Sequence, residues 1–160
     1  MAKAIRETMN KSTKVFCTIA AAIVVMFAAC TPPEPVGGEW KDIPDYGWRY
    51  GDTLTYNCGR DTLDIDTVAL TIRHTSGYPY ANLWLEMSYE TGDTTAADTL
   101  NIALADEFGS WYGKGSGVLF QLTDTIIPRR PVNAASPVRL RHIMRTDTVP
   151  EIQQIGLTYI

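Results

Sequence analysis

The chain predicts an all-β fold: a two-sheet antiparallel β-sandwich, jelly-roll-like, behind an N-terminal export segment. Three observations carry this. Beyond residue 30 the apolar residues recur with a period of two in short runs, the pattern of strands with one buried face. Gly, Pro, Asp and Thr punctuate those runs as turn residues do. No segment there keeps an apolar stripe at helical spacing between caps. Roughly seven or eight such runs in one domain fit two packed sheets, with a closed barrel as the alternative.

The first element is the export segment, residues 1–29. Lys3, Arg6, Lys11 and Lys14 form a basic start, and an apolar stretch from Val15 to Ala29 follows, broken only by Thr18. It is short for a membrane-spanning helix, which needs about 20 apolar residues, and it suits a signal peptide. It closes on Phe27-Ala28-Ala29-Cys30, a bulky apolar residue and two small ones before cysteine, which resembles a bacterial lipobox with Phe27 in place of the usual leucine. Cys30 is therefore the expected lipid-attachment residue, carrying a diacylglyceryl group and an amide-linked acyl chain such as palmitate. Several chains anchor far more firmly than one. Residues 30–39 read as a tether, extended by Pro32, Pro33 and Pro35 and loosened by Gly37 and Gly38, with the folded domain at 40–160. Thr31 rather than aspartate follows the cysteine. By analogy with enterobacterial sorting, this points to the outer rather than the inner membrane.

Processing changes the charge. The segment 1–29 holds four basic residues and one acidic, so its removal leaves 10 basic against 17 acidic and moves the formal charge from −4 to −7. An acidic domain excludes nucleic acid as the expected partner and is repelled by anionic headgroups beyond its own anchor. Cys17 leaves with the signal and Cys30 is acylated, so no intrachain disulfide is expected. Cys58 continues the Leu54, Tyr56 alternation and reads as a small buried residue.

In the domain, Trp40 to Tyr50 reads as an irregular aromatic segment covering one end of the core. Gly51-Asp52 is a turn, Thr53 to Cys58 a strand, and Thr62 to Ile65 another extended run. Leu63 and Ile65 are odd-numbered whereas Val68, Leu70 and Ile72 are even, so the phase flips, and a bulge is expected near Asp66-Thr67. The strand from Val68 ends at Ser76-Gly77, and a second runs through Leu83, Leu85, Met87 and Tyr89. Thr91 to Asp98 is a polar connection, and Leu100, Ile102 and Leu104 mark a strand. A glycine-rich loop, 107–117, carries Trp111 and Tyr112, and Val118 to Leu122 is a strand. After a proline-broken connection, Val138, Leu140, His142 and Met144 alternate with Arg139, Arg141, Ile143 and Arg145, and Ile155 to Ile160 closes the chain.

Tests for chemistry come out negative. Gly113-Lys114-Gly115-Ser116-Gly117 is neither G-x-S-x-G nor a phosphate loop. His74 and His142 lie far apart, without His or Cys at ligand spacing. Asp61, Asp64 and Asp66 do not follow an EF-hand, and Asp-Thr pairs recur as turn punctuation. Glu86 and Glu90 share one strand face, which reads as solvated rather than as a glycosidase pair. No enzyme activity, cofactor or metal is expected.

Two surface features remain. Tyr78, Tyr80, Trp84, Trp111 and Tyr112 lie in or beside loops, where they either fill the ends of the sandwich or stack on a partner. Trp84, Trp111 and Tyr112 are the residues a carbohydrate-binding module would use. Arg139, Arg141 and Arg145 occupy one face of one strand, in a run without an acid from Arg129 to Asp147. They seek acidic partners, either across the sheet or on another protein.

The segments Leu70-Thr71-Ile72-Arg73-His74-Thr75 and Tyr78-Pro79-Tyr80-Ala81-Asn82-Leu83-Trp84-Leu85 carry a family resemblance. So do Asp98-Thr99-Leu100, Gly109-Ser110-Trp111-Tyr112-Gly113-Lys114-Gly115, His142-Ile143-Met144-Arg145 and Ile155-Gly156-Leu157. With Cys30, the chain resembles the gliding-motility lipoproteins of the GldH type from Bacteroidota. The resemblance implies a non-enzymatic lipoprotein of the cell envelope, held to the membrane by its anchor. It also implies association with gliding machinery and the secretion system coupled to it. Other envelope proteins are the expected partners, met through Arg139, Arg141, Arg145, Tyr78, Tyr80, Trp84 and Trp111. A glycan is the alternative ligand.

Overall fold

The computed structural model describes residues 37–59 and 64–160. The signal peptide, Cys30 and most of the tether lie outside them, as does Asp61. Every element among the described residues is a strand: β1 (Gly37–Asp42), β2 (Trp48–Arg49), β3 (Leu54–Tyr56), β4 (Asp64–Ile65), β5 (Val68–Thr75), β6 (Asn82–Thr91), β7 (Thr94–Ala103), β8 (Lys114–Ser116), β9 (Leu119–Ile126), β10 (Val132–Asn133), β11 (Val138–His142), β12 (Thr148–Val149) and β13 (Ile152–Tyr159). One sheet has the order β1-β13-β5-β9-β8 and the other the order β3-β11-β6-β7. Two short pairs, β10-β4 and β12-β2, stand beside them.

The long pairings nest. β1 pairs with β13, β3 with β11, β5 with β9 and β6 with β7, alternately in one sheet and the other, all antiparallel. A chain folded double and wrapped into two sheets has this connectivity, which is that of a jelly roll. Both sheets keep free edges, so the fold is a sandwich and not a barrel.

The stretch from Val68 to Thr91 supplies an interior strand of each sheet, and its alternation is that of the core. Val68, Leu70, Ile72 and His74 of β5 point inward, and so do Leu83, Leu85, Met87 and Tyr89 of β6. They meet Val138 and Leu140 of β11 and Ile155, Leu157 and Tyr159 of β13. Two tyrosines tie the sheets together. The Tyr56 hydroxyl donates to the Ile155 carbonyl (3.0 Å), and the Tyr159 hydroxyl donates to the Tyr56 carbonyl (3.2 Å). Burial pushes both phenols well above their ordinary titration range.

Four expectations need correction. Trp40 does not open an irregular segment: the sandwich begins at Gly37, inside the stretch read as tether, and Trp40 sits in edge strand β1. The phase flip before Val68 is a change of sheet rather than a bulge, because β4 pairs with β10 whereas β5 pairs with β9 and β13. The bulge falls in β13 instead, between Ile152 and Gln154, which brings even-numbered Ile152 into the same core as odd-numbered Ile155. The polar connection Thr91–Asp98 is mostly strand: β6 and β7 pair without a break from Thr91↔Thr94 to Asn82↔Ala103, around a two-residue loop headed by Gly92.

Candidate functional site

The outer face of the four-stranded sheet is where the sequence-selected arginines and tryptophan meet. Side chains alternate along each strand, so register dictates the neighbours. Arg139 stands between Thr55 of β3 and Ser88 of β6, and Arg141 stands opposite Glu86. The Arg141 Nε–Glu86 Oε1 distance is 2.7 Å, and this bond holds the Glu86 carboxyl below its ordinary titration range. Arg141 is therefore a cross-strand partner within the sheet. Arg139 and Arg145 are exposed and make no ion pair among the described residues. Arg145 is not on the strand that carries the other two, since β11 ends at His142.

Pairing nonetheless continues past that end. The Ile143 amide donates to the Trp84 carbonyl (2.9 Å), and the Trp84 amide donates to the Met144 sulfur (3.3 Å). This lays the 143–146 segment beside Trp84 and leaves a cleft of ≈ 530 Å³ lined by Tyr80, Trp84, Thr99, Ile143, Met144 and Arg145. Trp84 is 39% exposed and Tyr80 36%. Such a preformed concavity with aromatic walls and a charged rim can seat one large apolar group and hold an anion beside it. Ile143, Met144 and Thr99 went unrecognised in the sequence. Met144 shares the core phase of Leu140, and only the tertiary arrangement turns it into a wall.

Tyr78 and Trp111 do not join this surface. Tyr78 is 3% exposed, and its hydroxyl donates to the Asn82 carbonyl. Trp111 is half-buried, with its ring edge-on to His74 at 4.6 Å and close to Phe120. Both belong to an aromatic cluster closing the end of the sandwich where β5 runs into β6. The trio Trp84, Trp111 and Tyr112 is therefore not one sugar-stacking platform, because only Trp84 lines the cleft.

The histidines are interior groups. His74 is fully buried, and its Nδ1 lies 2.9 Å from the Thr75 carbonyl. His142 is fully buried edge-on to Trp48 and Tyr50, without a well-formed hydrogen bond at either nitrogen. Burial lowers the titration range of both. Cys58 is buried, as its phase required. Among the described residues, no three or more of His, Cys, Asp and Glu come together as a metal would need.

The family model described as GldH lipoprotein matches residues 36–158, the whole sandwich except its last two residues. No curated protein matches the chain. The match to a lipoprotein family supports a lipid-anchored place in the cell envelope.

Proposed function

Since the chain belongs to the GldH lipoprotein family, we propose that it is a non-enzymatic assembly subunit of gliding machinery and its coupled secretion system. It is exported by the segment 1–29, acylated at Cys30 and carried on the outer membrane. The sandwich is presented to another envelope protein. One observation carries the reading: in an otherwise acidic domain, exposed Arg139 and Arg145 make no ion pair among the described residues, and Arg145 lines one cleft with the half-exposed Trp84. Trp and Arg dominate binding energy where proteins meet, and an unpaired charge on such a face selects the partner's sign.

The test is affinity capture of the full lipoprotein from mildly crosslinked cells. Recovery of components of the gliding or secretion machinery supports the reading. Recovery of no specific envelope protein overturns it.

A further inference from the structure

We propose that the Trp84 cleft binds an extended acidic segment of the partner protein. One large apolar side chain of that segment packs against Trp84, and its flanking carboxylates meet Arg145 and Arg139. This rests on the assembly reading above and gives that partner its chemistry.

The cleft is built before any ligand arrives. The backbone bond from Ile143 to Trp84 and the bond from the Trp84 amide to the Met144 sulfur fix its two walls to one another, so little ordering cost attends binding. Its surface is mainly apolar, from Trp84, Tyr80, Ile143 and Met144. A thioether beside aromatic rings accepts varied apolar side chains. Thr99 forms part of it from β7, an outer strand of the sheet, so the cleft opens sideways as well as outward. An extended chain can thus cross it rather than end in it.

Charge complementarity fixes the occupant's sign. Arg145 is exposed at the rim, and Arg139 is exposed farther along the same face. Glu86, two residues from Trp84 along β6, is already engaged by Arg141. No acid lies between Arg129 and Asp147. The cleft lining contains no carboxylate or carboxamide to meet the hydroxyls of a neutral sugar, which favours a peptide with carboxylates over a glycan.

The experiment titrates the full processed lipoprotein in detergent with three blocked pentapeptides. The first has acidic residues around a central phenylalanine, the second has alanine at the centre, and the third has lysines around the phenylalanine. Calorimetry and the Trp84 indole NMR signal report binding. The acidic phenylalanine peptide is expected to saturate below about 1 mM. The alanine peptide should bind about tenfold more weakly, as should the phenylalanine peptide to Trp84→Ala or Arg145→Glu. The lysine peptide should not bind. Thr99→Arg, which fills the cleft from an exposed position, should block binding with the fold intact.

Absence of saturation, equal binding of the lysine peptide, or unchanged affinity in both Trp84→Ala and Thr99→Arg would overturn the proposal. So would concentration-dependent dimerisation abolished by Thr99→Arg, which would make a second copy the occupant. If the peptides fail while crosslinked cells still yield a specific envelope partner, the cleft assignment falls and the assembly reading stands.

Discussion

Acidification should destabilise this sandwich through its two buried histidines. His74 and His142 are both excluded from water, and burial is the largest cause holding each below the ordinary imidazole range. Around His142 the neighbours are the rings of Trp48 and Tyr50, and the backbone at Trp48 and Arg49, with a smaller pull from the charge of Asp52, acts the other way. The sign follows from proton binding. Well above pH ~6.5 both rings are neutral in the folded and the unfolded chain, so they add no pH dependence there. As the pH falls through that value the unfolded chain takes up protons that the folded chain refuses, and stability falls until the pH passes below the folded-state values. At pH 5.5 an unfolded imidazole is about nine-tenths protonated. A ring that stays neutral when folded then costs about 1.4 kcal/mol, so the pair costs up to about 2.8 kcal/mol. The Glu39 and Glu86 carboxyls are held below their ordinary range and stay ionised in this window, so their contribution is lost only on further acidification. Denaturant unfolding at pH 7.5 and 5.5 measures the drop. His74→Leu and His142→Leu should each remove about half of it. Stability equal within about 0.5 kcal/mol at the two pH values, or a drop that persists in the double variant, would refute the reasoning.

Other positions give sharper local tests. Tyr89→Phe removes the hydroxyl that donates to buried Asp98 at 2.8 Å and leaves that carboxylate with the Arg129 backbone amide and the exposed Arg129 guanidinium, at a cost of about 1–3 kcal/mol in chemical denaturation. Gly113 sits at φ +87°, where an added Cβ meets the Gln121 backbone, whereas Gly117 at φ +67° faces open space. Gly113→Ala should therefore cost about 2 kcal/mol or more, and Gly117→Ala about 1 kcal/mol, by the same measurement. Arg141→Ala should lower thermal stability slightly by removing its solvent-screened Glu86 pair, whereas Arg139→Ala should leave it at the parent's value.

Alternation made most of the sandwich legible. Val68 to His74 and Leu83 to Tyr89 are buried at every second residue, and both runs became interior strands of the two sheets. Legibility failed where a phase change has more than one cause. The flip before Val68 reads equally as a bulge or as a change of sheet, and only the long-range partner of β4 decides it. Strand β7 was half missed because Thr94 to Ala97 offers no apolar alternation. It lies at a sheet edge with its outer residues in water, and pairing with β6 holds it there. Trp40 was unreadable as a strand residue because β1 is an edge strand too, and the indole packs over Gly156, a contact visible only across the sheet.

The site was legible in part and for similar reasons. Arg139, Arg141 and Trp84 could be assigned to outward positions by phase, but only register shows that Glu86 pairs with Arg141 rather than with Arg139. Local spacing could not separate buried Tyr78 from exposed Tyr80, because residues 76–81 form a crossing between sheets with no regular phase.

The measurement that bears most directly on the partner-binding face is photo-crosslinking in cells. A photoreactive residue is placed at Thr99, on the outer face of the four-stranded sheet, and separately at Thr125, on the outer face of the other sheet. A specific envelope protein should be captured from Thr99 and not from Thr125, and Arg139→Glu/Arg145→Glu should abolish that capture without changing the amount of folded lipoprotein. Capture from Thr125 alone, or capture from Thr99 that survives the charge reversal, would contradict the account.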